Sequence, residues 1–189
     1  PADTRVIRIG VWATVAVVLV AATAFAFGRA RESRYTFDRH LSEARVAIER
    51  DGELHDCANA ERQGGRQCGD SWDVVRAGLY SYVYDSRYCV FAHPSPHGPK
   101  HIVFPDVPLT GRLSGFIGLL DSSQGRGPVQ VDIQVGDQLP VRFTAAQVGK
   151  LVGVELTTPV ETADVSVIVR AERPAWRHLC FNLQVAAPR

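Results

Sequence analysis

Strict alternation of apolar and polar residues is clearest over residues 129–135. The apolar positions of this stretch are Val129, Val131, Ile133 and Val135, and they alternate with Gln130, Asp132 and Gln134. This period of two places four β-branched side chains on one face of a half-buried strand. Gly136 and Asp137 follow at once and signal a tight hairpin turn. The pattern therefore predicts a core-lining strand that ends in a hairpin.

The stretch before this strand also alternates between strand and turn signals. An apolar run over 113–120, interrupted by Gly115 and Gly118, is followed by the polar turn 121–128. Aromatic and β-branched residues over 79–91 end at the loop 93–99, which is rich in proline. Further short strands are predicted at 102–104, 141–144, 152–156, 165–169 and 179–185. Short strands at this density, without a long helix among them, indicate a mainly β protein with a β-sandwich.

The N-terminal part of the chain follows a different pattern. Residues 9–28 carry no formal charge and lie between Arg8 and Arg29, after a short tail at 1–8. About 20 apolar residues are enough for a helix to span a bilayer, so we expect a single transmembrane helix that is retained as a signal anchor. Small residues that would let this helix pack closely against another are Gly10, Ala13, Ala22 and Ala26. The alternative is that alanine is simply common in helices.

Residues 29–52 are charged but periodic. Apolar residues recur at helical spacing at Phe37, Leu41, Ala44 and Ile48. This narrow stripe predicts a juxtamembrane helical stalk, which Asp51 and Gly52 would end. The stripe could pack against the chain's own domain, or it could be a docking surface for a partner subunit.

The four cysteines limit the kinds of chemistry and the cellular compartment that the sequence allows. None lies in a C-x-x-C or C-x-x-C-H pattern, which argues against zinc ribbons, thioredoxin-type redox sites and covalent haem. An even number in a β-rich domain favours two disulfides and an oxidising compartment over four reduced thiols. Residues 53–70 contain few apolar side chains and are predicted to be a loop, which Cys57 and Cys68 would close.

Two signals for membrane orientation oppose each other. More arginines follow the apolar segment than precede it, and the positive-inside rule would then place the C-terminal domain in the cytoplasm. The disulfides favour the other side, and long domains are often translocated regardless of charge. We therefore expect a bacterial inner or intracytoplasmic membrane, with the domain in the periplasm or outside. The cytoplasmic side is the alternative.

The sequence contains no pattern that indicates catalysis, a metal or a cofactor. His93, His97 and His101 recur every four residues, but the prolines and glycine between them exclude a helix that would gather them. There is no G-x-S-x-G elbow or phosphate-binding glycine loop, and no carboxylate pair is fixed across a cleft. The chain has 21 basic and 20 acidic residues, so its net charge is too small to attract nucleic acid by an overall electrostatic field.

A family resemblance follows from the glycine-interrupted strand, the D-S-S turn, the GPVQVDIQV strand and the G-D-Q-L turn. Over about residues 70–185 the chain resembles the NPCBM-like carbohydrate-binding modules, which are galactose-binding-like jelly rolls. The resemblance implies a jelly-roll β-sandwich over 71–189. It also implies that Cys89 lies near Cys180, which leaves Cys57 to pair with Cys68.

The same resemblance implies a glycan ligand. Sugar-binding jelly rolls use exposed aromatic and polar side chains, and the candidates here are Trp72, Tyr82, Tyr84, Trp176 and Arg177. The family pattern would place an aspartate near the last tryptophan, where this chain has arginine and histidine.

Two functions from different classes follow. The first is a non-catalytic accessory subunit of a larger membrane complex, such as a light-harvesting or respiratory one, with membrane lipid and other integral membrane subunits as partners. The alternative is a membrane-tethered carbohydrate-binding module that acts on envelope polysaccharide. A brace needs apolar docking patches, whereas a sugar binder needs an exposed aromatic beside polar groups.

Overall fold

The structure, a computed structural model, describes residues 35–60, 65–82, 85–109 and 111–185. The predicted tail, the transmembrane helix and its small residues at 10, 13, 22 and 26 lie outside these ranges. Within them, no helix is long and apolar enough to cross a membrane.

The described residues form antiparallel β-strands that build two sheets. The strands are β1 (Arg45–Arg50), β2 (Glu53–Asp56), β3 (Ala58–Ala60), β4 (Gly65–Gln67), β5 (Val74–Tyr82), β6 (Asp85–Ala92), β7 (Lys100–Pro108), β8 (Arg112–Leu119), β9 (Val129–Val135), β10 (Val141–Ala145), β11 (Leu151–Thr157), β12 (Thr162–Arg170) and β13 (Leu179–Val185). One sheet has six strands in the order β10-β9-β12-β7-β1-β2, and the other has seven in the order β11-β8-β13-β6-β5-β4-β3. The predicted jelly-roll-like β-sandwich is therefore confirmed.

The main core lies between the two sheets. On β9 the four predicted inward residues are all buried, as are Val165, Val167 and Val169 of β12, its neighbour in the sheet. From the other sheet, β13 contributes Leu179, Phe181, Leu183 and Val185. Because side chains of a strand alternate between its two faces, one face of each strand packs into this core. The sequence therefore shows the strands as alternating apolar and polar residues.

The predicted helical stalk is wrong over its described part. Residues 37–43 form turns, and β1 follows directly. The four stripe residues are core, with exposed fractions of 0% for Phe37, 6% for Leu41, 1% for Ala44 and 1% for Ile48. They therefore cannot form a docking surface for a partner.

Tertiary packing explains why helically spaced apolar residues do not form a helix here. The Phe37 ring packs against Phe104 with ring centroids 4.5 Å apart, and its backbone N–H donates to the Leu183 carbonyl. Asp51 and Gly52, the predicted helix stop, form the hairpin turn between β1 and β2 with φ angles of 52° and 83°. A turn followed by a strand buries the four apolar residues on one side of the chain, as a short amphipathic helix would have done.

Both disulfide pairings are confirmed. Cys57 pairs with Cys68 and Cys89 with Cys180, with Cα–Cα distances of 4.3 Å and 5.9 Å. The second bond joins β6 to β13, which are neighbours in the seven-stranded sheet. The region 53–70, predicted as a loop, contains the short strands β2, β3 and β4 in its described part.

Candidate functional site

A second apolar cluster covers the face of the seven-stranded sheet that points away from the main core. Val75 belongs to the main core, whereas Val74, its neighbour in the chain, belongs to the second cluster. The other buried members of this outer cluster are Tyr82, Cys89, Phe91, Leu120 and Cys180. One disulfide thus fixes the sheet directly beneath it.

A cleft of about 940 Å³ opens above this outer cluster. Its floor includes Val74, Phe91 and Leu120. Its walls come from loops that are distant in sequence and carry Ser71 and Trp72, His93, Ser122, and lastly Trp176 and His178. The cleft therefore combines an apolar floor with a small number of polar groups, as ligand sites do.

Four rings line the cleft in a continuous series from Trp72 to Trp176. Ring centroids are 4.6 Å apart for Trp72 and His93, 5.5 Å for His93 and His178, and 6.5 Å for His178 and Trp176. The two tryptophans remain 43% and 63% exposed, while His93 is buried. Two indoles thus stand at the rim, with two imidazoles between them.

Trp176 is held in an unusual backbone conformation. Its φ is 59°, in the left-handed region that bulky L-residues rarely occupy and that costs about 1–2 kcal/mol. The surrounding loop compensates, because the Trp176 carbonyl accepts backbone N–H bonds from Gln124 at 3.0 Å and Gly125 at 3.2 Å. A strained backbone around an exposed indole points to a positioned side chain rather than a tolerated one.

Arg177 supports this loop from below. The side chain is 2% exposed, and its guanidinium donates to the Gly125 carbonyl at 2.7 Å and the Ala146 carbonyl at 3.4 Å. Burial lowers the pKa of the guanidinium. A Cβ at Gly125 would lie 2.2 Å from the Ala175 carbonyl oxygen, so only glycine fits under the loop. The structure thus places Arg177 beneath Trp176, outside the cleft lining.

The D-S-S turn orients His178. Ser122 Oγ lies 2.7 Å from His178 Nδ1, and the His178 backbone N–H donates to Ser123 Oγ at 2.9 Å. The His178 carbonyl accepts from the Leu120 N–H at 2.9 Å. The turn that carried the family resemblance therefore fixes the imidazole through a short network of hydrogen bonds.

A buried ion pair anchors the opposite wall. Lys100 of β7 is fully buried, and its Nζ donates to the Asp73 carboxylate and to the His93 backbone carbonyl. Asp73 is 1% exposed and follows Trp72 directly, and its carbonyl accepts the Cys68 N–H at 2.9 Å. One ammonium group thus joins the Trp72 loop to the His93 loop, and the Cys57–Cys68 disulfide secures the same loop.

Arg76 lies in the cleft against aromatic rings. Its Nε donates to the Tyr80 hydroxyl at 2.8 Å. The guanidinium lies 5.9 Å from the Tyr80 ring centroid and 5.5 Å from that of Phe91, within cation–π range. Burial raises the pKa of the Tyr80 hydroxyl, so at neutral pH it remains protonated and can accept from Nε while donating its own proton.

Both imidazoles of the cleft are neutral at pH 7. Burial lowers the pKa of His93, and nearby Lys100 and His178 add to this effect, while the hydrogen bond to the Pro94 carbonyl opposes it. Burial also lowers the pKa of His178. His93 Nδ1 lies 2.8 Å from the Pro94 carbonyl oxygen, which only accepts, so Nδ1 carries the proton and Nε2 is an acceptor.

The structure brings together two of the five predicted ligand-binding residues. Trp72 and Trp176 line the cleft together. Tyr82 is 2% exposed, and its hydroxyl donates to the Cys180 carbonyl at 3.2 Å, so it belongs to the outer cluster. Arg177 supports the loop, and Tyr84 lies outside the described residues.

Sequence reasoning missed several lining residues, namely Ser71, Arg76, Tyr80, Phe91, His93, Ser122 and His178. The D-S-S turn could have pointed to Ser122. The other two histidines of the repeated spacing do not join the cleft lining: His97 is exposed, and His101 Nε2 lies 2.9 Å from Glu49 Oε2. In the described part of the chain, no three His, Cys, Asp or Glu side chains converge on a metal position.

Comparison with known proteins gives only distant structural similarity. No family model matches the chain, and no curated protein matches it. It is similar to the structure of CBM51 from Clostridium perfringens GH95 in complex with methyl-galactose, with 10% identity, a TM-score of 0.47, and 81% of this chain and 100% of that chain covered. TmCBM61 in complex with beta-1,4-galactotriose has 14% identity and a TM-score of 0.42, covering 78% of this chain and 92% of that one.

A third similar structure is the K1 cleaved adhesin domain of Lys-gingipain from Porphyromonas gingivalis W83. It has 10% identity and a TM-score of 0.48, covering 82% of this chain and 98% of that one. Two of these three structures are carbohydrate-binding modules, the class named by the resemblance in the sequence.

Proposed function

We propose that this protein is a non-catalytic carbohydrate-binding domain whose ligand site is the cleft between Trp72 and Trp176. The observation that carries the proposal is the pair of exposed indoles beside two fixed imidazoles and the apolar floor. A pyranose ring has apolar faces of C–H bonds and an edge of hydroxyls. An indole covers such a face, while the imidazoles and Ser71 or Ser122 can bond the edge.

The preorganisation of the cleft supports a role in ligand binding. The loops are held by the Cys57–Cys68 disulfide, by the Lys100–Asp73 ion pair and by the buried Arg177, and the Cys89–Cys180 disulfide joins the strands beneath them, so little ordering entropy remains to be lost when a ligand binds. The described lining residues include no carboxylate. The two-carboxylate mechanism of glycoside hydrolysis would therefore find no pair there.

The accessory-subunit hypothesis required apolar docking patches on the stalk and on loops near the membrane. The stripe predicted for the stalk does not provide such a patch, because residues 37, 41, 44 and 48 lie in the sandwich core. Glycan binding, the alternative from the sequence, is the hypothesis that the cleft favours.

Tethering and location are the further parts of the proposal. The predicted anchor over 9–28 lies outside the described residues, and we retain it as a proposal, with the domain displayed on the periplasmic or outer side. Two disulfides support an oxidising compartment. Protease accessibility of the domain in sealed spheroplasts would test this side, because protection from added protease would place the domain in the cytoplasm.

Glycan binding is tested with the full chain on a glycan array, followed by titration calorimetry of any ligand found. We expect Trp176→Ala and Trp72→Ala each to weaken binding at least about tenfold, since each removes a stacking surface. Tyr88→Ala is the matched control, because Tyr88 is 64% exposed but lies outside the cleft lining. Binding that survives both tryptophan substitutions, or no binding to any glycan, would refute the proposal.

A further inference from the structure

The charge of the cleft is one-sided. Arg76 is the one formally charged side chain among the described lining residues, and the lining has no carboxylate. The other ionisable lining groups are His93, His178 and Tyr80, which are neutral at pH 7. Arg142 and Arg170, by contrast, are neutralised by the Asp132 carboxylate, and Arg177 is directed away from the cleft onto backbone carbonyls.

The guanidinium of Arg76 is oriented without being neutralised. Tyr80 accepts from Nε, and the rings of Tyr80 and Phe91 lie on its flank. In the described ranges, Nη1 and Nη2 have no hydrogen-bond partner and the side chain forms no salt bridge. Four of the five N–H donors therefore remain for a ligand, in the planar arrangement that matches a carboxylate.

The neighbourhood favours an anion over a neutral hydroxyl at this point. Arg76 is only partly exposed, so a charge-assisted pair formed there is less screened than one formed in bulk water. Lys100, the other cation near the cleft, is already paired with Asp73 and does not need a ligand.

We propose, building on the proposed sugar-binding function, that the cleft selects an acidic saccharide whose carboxylate pairs with Arg76 while its ring lies against the tryptophans. Uronic acids and sialic acids are the sugars with this chemistry.

The test uses matched ligands that differ only at the carboxyl group, which is charged in the acid and is an uncharged methyl ester in its partner. The full chain is titrated with uronate and sialylated oligosaccharides, and each acid is compared with its own methyl ester. We expect at least one acid to bind, with its ester about tenfold weaker or more, and the affinity for the acid to fall as salt is raised. An ester that binds as tightly as its acid would overturn the inference and leave glycan binding intact. If no saccharide binds, acid or neutral, both proposals fail.

A variant assigns the effect to its residue. Arg76→Gln should bring the acid and its ester to within about twofold of each other, because the amide is uncharged. Arg112→Gln is the control, since Arg112 lies on β8 of the same sheet, is exposed, and pairs with Glu155. A preference for the acid that survives Arg76→Gln would overturn the role of Arg76. The comparison of acid with ester on the unaltered protein stands even if the variant does not fold.

Discussion

The two apolar clusters of this protein are built differently. The main core between the sheets consists almost wholly of aliphatic side chains and phenylalanine, and its contacts follow from strand alternation. The outer cluster is much smaller, combines Tyr82 and Phe91 with two aliphatic residues and the Cys89–Cys180 disulfide, and ends in a cleft whose rim exposes two tryptophans. The main core stabilises the fold, whereas at the outer cluster the fold keeps apolar side chains exposed to solvent.

The difference also shows in how polar groups are used. In the main core the strands satisfy their own backbone groups, and few polar side chains are needed. Around the cleft, buried Lys100, Asp73 and Arg177 hold the loops through charged hydrogen bonds. An exposed aromatic site contributes little to stability by burial, so its loops need such polar supports.

Removing a residue of the main core should have the largest effect. Phe37→Ala is expected to lower the free energy of unfolding by about 3–5 kcal/mol, because a fully buried ring leaves a cavity next to Phe104. Urea denaturation measures this, with Leu54→Ala, at an exposed site, as the control. A cost below about 1 kcal/mol would mean that Phe37 lies outside the core, as a docking surface for a partner subunit would require.

Breaking the buried ion pair should cost somewhat less and should affect both regions. Asp73→Asn is expected to lower the free energy of unfolding by about 2–3 kcal/mol, because it leaves the buried Lys100 ammonium without its counter-charge. Asp70→Asn, an exposed change in the same loop, is the control. Adding Lys100→Met should recover part of the stability but not the glycan affinity, since the Trp72 and His93 loops are then no longer joined. Full stability in Asp73→Asn would show that the pair does not hold the wall.

The strain at Trp176 can be measured by comparing two substitutions. Trp176→Gly should be about 1 kcal/mol more stable than Trp176→Ala, because only glycine adopts a φ of 59° without steric cost. At Trp72, whose φ is not positive, the order should reverse, since glycine there only adds entropy to the unfolded chain. Equal stabilities for both pairs would remove the argument that the Trp176 backbone is strained.

The smallest expected effect is on the pH dependence of stability. Burial lowers the pKa values of His93 and His178 in the folded state, so the unfolded chain takes up these protons first as the pH falls. Their contribution is complete above about pH 6.5, the ordinary histidine value, and decreases as the pH falls below it. The double variant His93→Gln/His178→Gln should flatten this part of the stability curve. His55→Gln, at an exposed site, should not.

The sequence by itself determined the sandwich and its two disulfides. Alternation over 129–135 and 165–169 depends only on neighbouring residues along one strand, so it can be read without knowing the partner strands. The family resemblance, and not the alternation, marked Trp72 and Trp176 as candidates. Local patterns failed at residues 37–48. The helical spacing of the apolar residues there predicted a helix, whereas the chain forms turns followed by β1. A short run of spaced apolar residues fits either structure, and tertiary packing decides between them.

Tertiary structure alone decided the cleft. Its walls come from loops separated by up to about a hundred residues, and they meet only because β13 pairs with both β6 and β8 while β5 pairs with β6. The same pairing turned Arg177 inward beneath Trp176 and left Arg76 facing the cleft, although the two arginines look alike in the sequence. Which side of a strand or loop becomes the floor of a site depends on long-range strand register, and no local pattern encodes that register completely.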